Sequence, residues 1–297
     1  MSRGYALDQC GLFALKSHRQ LAARLGRSPS FIRHRAEADL YQQWNEPKKS
    51  GGTRLIEAPR GDLKAIQRRI ADLLQRVAPP GFLFSPVKGK SYIDNAVMHA
   101  GANEVRLLDI VDYFGRCTAQ SVFDFFCKRL RCVPDVAFTL ASLTTRNGHL
   151  PQGSPCSPIL SFYSCFSMWE QIATIVRAAD CRITVYVDDV TISGRIVPEN
   201  VVWRVKQILR RNGHVHNRSK ERSVSHRSAE VTGIIVGTSQ LCVPHRHYRK
   251  LLDARSEART AATPDDRARA IARAKSLESQ VQQVHRRKTA AYSPAGR

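Results

Sequence analysis

The residue types best suited to chemistry are two adjacent carboxylates, Asp188 and Asp189, closing the string Tyr186-Val187-Asp188-Asp189. Before them, apolar Ile183, Val185 and Val187 alternate with Thr184 and Tyr186. That is the period of two of a β-strand, and Val190 and Ile192 continue it beyond the acids. The pair therefore sits at the bend of an apolar hairpin. Two carboxylates side by side repel, and stripping them of water is costly. A hard divalent cation such as Mg²⁺, which selects carboxylate oxygens, removes that cost. A plain turn dipeptide is the rival reading. It suits Asp265-Asp266, which follows Pro264 in a polar stretch, better than a pair flanked by β-branched and aromatic residues. A further acid, Asp109, ends the run Val105-Arg-Leu-Leu-Asp109. If the two segments lie side by side, three carboxylates can hold two cations about 3.5–4 Å apart. Asp112, three residues on, is the rival third ligand.

The elements around these acids follow from periodicity and breakers. Residues 12–44 read as helical, with Leu21, Leu25, Phe31, Ile32 and Leu40 at spacings near three and four. Within them, residues 21–32 with Gly26 at the turn fit either a helix-turn-helix or a plain helical pair packing on the next domain. Pro47 to Arg54, rich in Gly and Lys, reads as a hairpin tip. Leu63 to Val77 is an amphipathic helix stopped by Pro79-Pro80-Gly81. A strand is expected over 104–110 and helical material over 119–145, with a turn at Asn147-Gly148. The Pro-rich loop Leu150 to Pro158 feeds an apolar helix over 159–176. A helix over 201–211, a strand over 230–236 and a basic helical tail from Arg246, interrupted at Thr263 to Asp266, complete the chain.

Composition constrains the partner. Lys and Arg number 47 against 25 Asp and Glu, a net charge of +22 over 297 residues. Self-repulsion on that scale points to a polyanion. There is no run of about 18 apolar residues to span a bilayer. Met1 to Gln20 also lacks the pattern of a secretory signal. Nucleic acid in the cytoplasm is the expected partner, with no membrane role. The eight cysteines form no C-x-x-C pair, so they read as reduced, small core residues rather than a zinc site.

Leu108-Asp109-Ile110, Leu150-Pro-Gln-Gly-Ser-Pro155 and Tyr186-Val-Asp-Asp189, in that order, resemble the reverse transcriptases. The similarity runs from about Pro47 to Val236. Asn95-Ala-Val-Met-His99 and Val231-Thr232-Gly233 resemble two strings of the bacterial retron enzymes in particular. The resemblance implies an α+β, right-hand polymerase fold with fingers, a palm of antiparallel sheet backed by helices, and a helical basic thumb. It implies an N-terminal helical region over 1–46, fingers with part of the palm over 47–108, and palm over 109–244. Finger helices are inserted at about 115–150, and the thumb covers 245–297. Asp109, Asp188 and Asp189 would bind two Mg²⁺ ions, helped by the Ile110 carbonyl. Phe114 would exclude a ribose 2′-OH, and Gln152 would line the deoxynucleotide pocket. Lys48 or Lys49 with Arg54 would reach the triphosphate, and Lys220 the leaving pyrophosphate. Asn95, His99, Tyr186, Val231, Thr232, Gly233, Arg246, Arg249 and Lys250 would contact nucleic acid. The chain departs from the retron pattern at Val187, where Ala is usual, and at Gly115-Arg116, where Pro-Ser is usual. The thumb region matches only in its basic, helical character.

The implied activity is RNA-directed DNA synthesis, in the bacterial cytoplasm, on a structured non-coding RNA. A guanosine 2′-OH of that RNA would act as primer, giving branched RNA–DNA in anti-phage defence with a separate effector protein. Other readings are a group II intron, diversity-generating or abortive-infection reverse transcriptase, or a non-catalytic RNA-binding protein on the same scaffold.

Overall fold

The computed structural model describes residues 4–37, 40–48, 51–237 and 241–291. The chain forms two compact units interleaved in sequence. One comprises Met1–Lys88, Ile110–Thr174 and Arg204–His216; the other comprises Gly89–Asp109, Ile175–Trp203 and Asn217–Arg297.

In the first unit, β1 (Tyr41–Pro47) and β2 (Thr53–Pro59) pair antiparallel, with Trp44 opposite Ile56. Gly51 and Gly52 both take positive φ at the tip, a conformation that costs glycine little. The helical expectation for 12–44 fails at both ends, since residues 12–17 are turn and loop. Helices cover His18–Leu25 and Pro29–Glu37, but Tyr41–Trp44 belongs to the hairpin. Cross-strand pairing there outweighs a short helical pattern, because aromatic and β-branched partners favour the ladder. Helix Gly61–Leu74 buries Leu63, Ile66, Ile70, Leu73 and Leu74 along one stripe, each worth about 1.5–3 kcal/mol on full burial. A short strand, β3 (Leu83–Ser85), follows.

The helical material over 119–145 is broken in the middle. Ala119–Asp124 runs into a π-helical turn at Phe125–Arg129, and Pro134–Thr144 starts afresh with proline in its first turn. The expected helix over 159–176 is likewise two helices, Ser157–Ser164 and Phe166–Ala178. Cys165 leaves helical geometry between them. Aromatic rings fill the surrounding core: Phe162 stacks on Trp169 at 6.5 Å, and the Trp169 indole donates to the Tyr113 hydroxyl.

The second unit is built on strands. β4 (Glu104–Asp109), β5 (Arg182–Tyr186), β6 (Asp189–Gly194) and β7 (Arg222–Ser225) lie in the order β5-β6-β4-β7, all antiparallel. The strand expected over 230–236 is instead a hairpin of β8 (Ala229–Val231) and β9 (Ile234–Val236), which β10 (Leu241–Cys242) extends. Thr232 and Gly233, both at positive φ, make its turn. An apolar core joins Ile93, Ala96, Val105, Val231, Ile234 and Leu241, and Val284 of helix Pro264–Ala291 packs into it. That helix and His245–Thr260 form an antiparallel-patterned pair whose buried seam includes Leu251, Ala254 and Ala274. The architecture is α+β, as the sequence implies.

Candidate active site

Strand register brings the acids together. Asp109 ends β4 directly opposite Asp189, the first residue of β6. Asp189 is also paired across the hairpin with Tyr186. Val187 and Asp188 therefore form a two-residue turn that holds all three carboxyl-bearing residues at one end of the sheet. Asp109, Asp188, Asp189, Lys220, Thr232 and Gly233 line a single cavity of about 370 Å³. Like charges directly opposite across a ladder are destabilising. The burial pattern explains why they stay there. Every residue of β6 after Asp189 is buried, with Val190 and Ile192 on one face and Thr191 and Ser193 on the other, so a slip by one position would exchange apolar for hydroxyl side chains on both faces.

The electrostatics match this crowding. Asp189 is pushed up to about 7, first by loss of water around its carboxyl and then by the Asp188 and Asp109 carboxylates. Lys220 works the other way. Its Nζ donates to Asp109 Oδ2 at 2.9 Å, and this hydrogen bond raises the lysine above its usual value. The backbone carbonyl of Asp109 accepts from the Asn217 amide at 2.7 Å, fixing the segment that carries Lys220. Three carboxylates line this one cavity with Lys220, Arg222 and Glu230, and carboxylate oxygens are the donor type that hard divalent cations select, so the chemistry of the set suits Mg²⁺. Asp112 is not among the residues lining the cavity. It takes positive φ ahead of the short helix Tyr113–Arg116.

Thr232 and Gly233 lie at the cavity, but three of their expected companions are interior. His99 is 0% exposed, and its ring nitrogens bond Ser193 Oγ and Thr184 Oγ1, both at 2.7 Å. Burial then holds His99 well down, to about 3, so it is neutral. Asn95 is 1% exposed and donates to Thr232 Oγ1, while Val231 is 0% exposed. These three side chains are interior and hold the strands and the Thr232 turn in place. Tyr186 is half-buried beside the acids. Arg246 forms a two-pronged ion pair with Glu230, which holds that carboxyl below its usual range. Arg249 and Lys250 are exposed on helix His245–Thr260. Sequence reasoning passed over Arg222 and Glu230, which also line the cavity. Only strand pairing reveals them, since both look like ordinary surface charges in the sequence.

The remaining expected site residues belong to the first unit. Lys48 and Arg54 are exposed at the β1–β2 tip, and Lys49 lies outside the described residues. Phe114 is half-buried against Tyr113 at 6.0 Å, and Ile110 is buried. Gln152 is half-buried, and its carbonyl accepts from the Glu57 amide at 2.6 Å. That bond fastens the Pro-rich loop to β2. Gly153 beside it has φ +118, and a Cβ there would meet Ile56 Cγ2 at 2.9 Å, so glycine is needed for this close approach. Glu57, 2% exposed, forms an ion pair with Arg146 at 3.5 Å and a hydrogen bond with the His149 ring at 2.9 Å.

Residues 46–236 match the family model described as "Reverse transcriptase (RNA-dependent DNA polymerase)". This span holds every acid of the cavity, and the chain belongs to the reverse transcriptase family. Its curated relatives place it in the bacterial retron-type branch. It is 32% identical to the Retron Mx65 reverse transcriptase of Myxococcus xanthus over 78% of this chain and 61% of that protein. It is 28% identical to the Retron Ec86 reverse transcriptase of Escherichia coli over 67% of this chain and 63% of that one. With the Retron Se72 reverse transcriptase of Salmonella heidelberg the identity is 29%, over 52% of this chain and 41% of the relative. The chain thus spans less than two thirds of the length of these relatives. A solved foamy viral protease-reverse transcriptase in complex with RNA/DNA hybrid shares 16% identity, with a TM-score of 0.41 over 72% of this chain and 25% of that one.

Proposed function

We propose that this protein is an RNA-directed DNA polymerase of retron type, using Asp109, Asp188 and Asp189 to bind two Mg²⁺ ions. The observation that carries this reading is the register of β4 against β6, which sets Asp109 opposite Asp189 in the cavity that Asp188 shares. Ions held by these acids would supply the charge that lowers the pKa of a primer hydroxyl and offsets that of the triphosphate and its leaving group. Asp109, Asp188 and Asp189 orient the reacting groups by fixing where those ions can sit. Lys220 adds a positive charge for the departing pyrophosphate. Lys48, Lys49 and Arg54 are assigned to the triphosphate, and Ile110 contributes its carbonyl to metal binding. Phe114 excludes the 2′-OH by bulk, and Gln152 lines the deoxynucleotide pocket. Tyr186 and the Thr232-Gly233 turn face the nucleic acid, and the basic thumb of residues 245–297, with Arg249 and Lys250, grips phosphates. The template is a structured non-coding RNA. Priming from its 2′-OH gives branched RNA–DNA, in anti-phage defence with a separate effector and within the bacterial cytoplasm.

The test is extension of DNA on the co-purifying RNA with Mg²⁺ and deoxynucleotides. Asp188→Asn is expected to abolish the product while leaving RNA bound. Undiminished synthesis by that variant would remove the assignment of the acids. Sensitivity of the product to a debranching enzyme checks the 2′-OH priming separately.

A further inference from the structure

A second set of potential ligands, made of residues other than the acids, lies within the first unit. Cys117, Cys165 and His214 bring one ligand atom each to within 4.8 Å of one another. They come from three separate stretches of chain: the segment after helix Tyr113–Arg116, the break between helices Ser157–Ser164 and Phe166–Ala178, and the turn that follows helix Glu199–Arg211. The Sγ atoms of Cys117 and Cys165 are 4.0 Å apart, and Cys165 Sγ lies 3.3 Å from His214 Nε2.

These distances can be set against coordination geometry. A tetrahedral Zn²⁺ with Zn–S of about 2.3 Å and Zn–N of about 2.0–2.1 Å spaces two sulfurs about 3.8 Å apart, and a sulfur and a nitrogen about 3.6 Å apart. The 4.0 Å and 3.3 Å separations are each within a few tenths of an ångström of these edges, and the third pair, Cys117 and His214, lies within 4.8 Å. A disulfide needs sulfurs at about 2.05 Å, so the two thiols are nearly 2 Å too far apart. Thiolate and imidazole together are a soft-to-borderline donor set, which selects zinc over magnesium.

We propose that Cys117, Cys165 and His214 form a buried binding site for Zn²⁺, separate from the carboxylate site and made of donors of the opposite chemical character. Cys117 and His214 are 0% and 1% exposed. Cys165 is half-buried, so the fourth position opens on its side and is taken by water. Binding releases the thiol protons of both cysteines to solvent and leaves the imidazole neutral, coordinated through Nε2. The site ties down three segments that no secondary structure element shares. One of them closes the turn behind Phe114, since the Cys117 amide donates to the Phe114 carbonyl at 3.1 Å.

The test uses the reduced full chain and Co²⁺ as a spectroscopic substitute for zinc. One equivalent is expected to give a thiolate-to-cobalt charge-transfer band that added Zn²⁺ bleaches. Asp188→Asn is expected to keep this band, because carboxylates cannot produce it. Cys117→Ser and Cys165→Ser should each weaken or abolish it, and Cys132→Ser, which alters a thiol bonded to the Leu12 carbonyl, should not. Should a variant misfold, the titration of the unmodified chain decides alone. No thiolate band at stoichiometric cobalt overturns the proposal. So does a band that survives both serine variants, and so does thiol titration showing Cys117 and Cys165 joined as a disulfide in the isolated protein.

Discussion

At the scale of single residues, Asp189 and Val187 carry the most consequence. With its pKa near 7, Asp189 is partly protonated at neutral pH when no cation is present. Its folded value lies above the ordinary carboxyl value, so it favours the folded state at low pH. That contribution is lost as pH rises from about 4 through about 7. A cation reverses the balance, because binding expels the proton. The Mg²⁺ concentration giving half-maximal DNA synthesis should therefore fall as pH is raised from about 6 to about 8. A pH series of Mg²⁺ titrations checks this, and Asp189→Asn should remove the trend from direct ion binding. Val187 occupies the first turn position at φ +60, where a β-branched side chain is strained. Such strain costs about 1–3 kcal/mol, part of which glycine recovers. Val187→Gly is expected to raise the thermal midpoint modestly, as calorimetry would show. The two acids were legible in the sequence because alternating apolar residues framed them. The strain at Val187 was not, since the same β-branched type reads as an ordinary strand former.

At the scale of elements, His99 is the clip between helix Tyr92–Val97 and the strands that carry the acids. Its two nitrogens serve hydroxyls on β5 and β6. His99→Ala strands both hydroxyls in the core, and a loss of about 2–4 kcal/mol is expected in denaturant unfolding. In the folded state His99 stays neutral down to about 3, whereas the unfolded chain protonates it near about 6.5. Its contribution is therefore complete above about 6.5 and lost as pH falls toward about 3. His99→Gln should flatten that part of the stability profile. The loop carrying Gln152 has a comparable fastening in Gly153, and Gly153→Ala should raise the KM for deoxynucleotide by disturbing its contact with β2. Elements with a single clear period, such as the helix at Gly61–Leu74 and strand β4, could be read from the sequence. Those divided by one or two residues could not. Cys165 breaks what reads as a single apolar helix, and Thr232-Gly233 turns what looks like one strand into two. The Cys117–Cys165–His214 cluster was invisible for a related reason, because its members are distant in sequence and follow no short spacing motif.

At the scale of the whole molecule, the net charge of +22 sets how the protein meets nucleic acid. Binding to RNA should weaken linearly on a logarithmic salt scale, each phosphate contact adding about 0.7–0.9 to the slope. Arg249→Ala with Lys250→Ala should lower that slope by about 1–2 without changing which RNA is preferred, a result filter-binding titrations can check. Composition pointed to a polyanionic partner before any element was assigned, yet it could not say where chemistry occurs. That depends on the convergence of Asp109 with Asp188 and Asp189. Anomalous scattering from crystals grown with Mn²⁺ and a primer–template measures it most directly. The account predicts manganese peaks within coordinating distance of all three carboxylates, with Lys220 displaced from Asp109 or sharing it. Manganese held by Asp188 and Asp189 alone, with Asp109 still engaged only by Lys220, would contradict it.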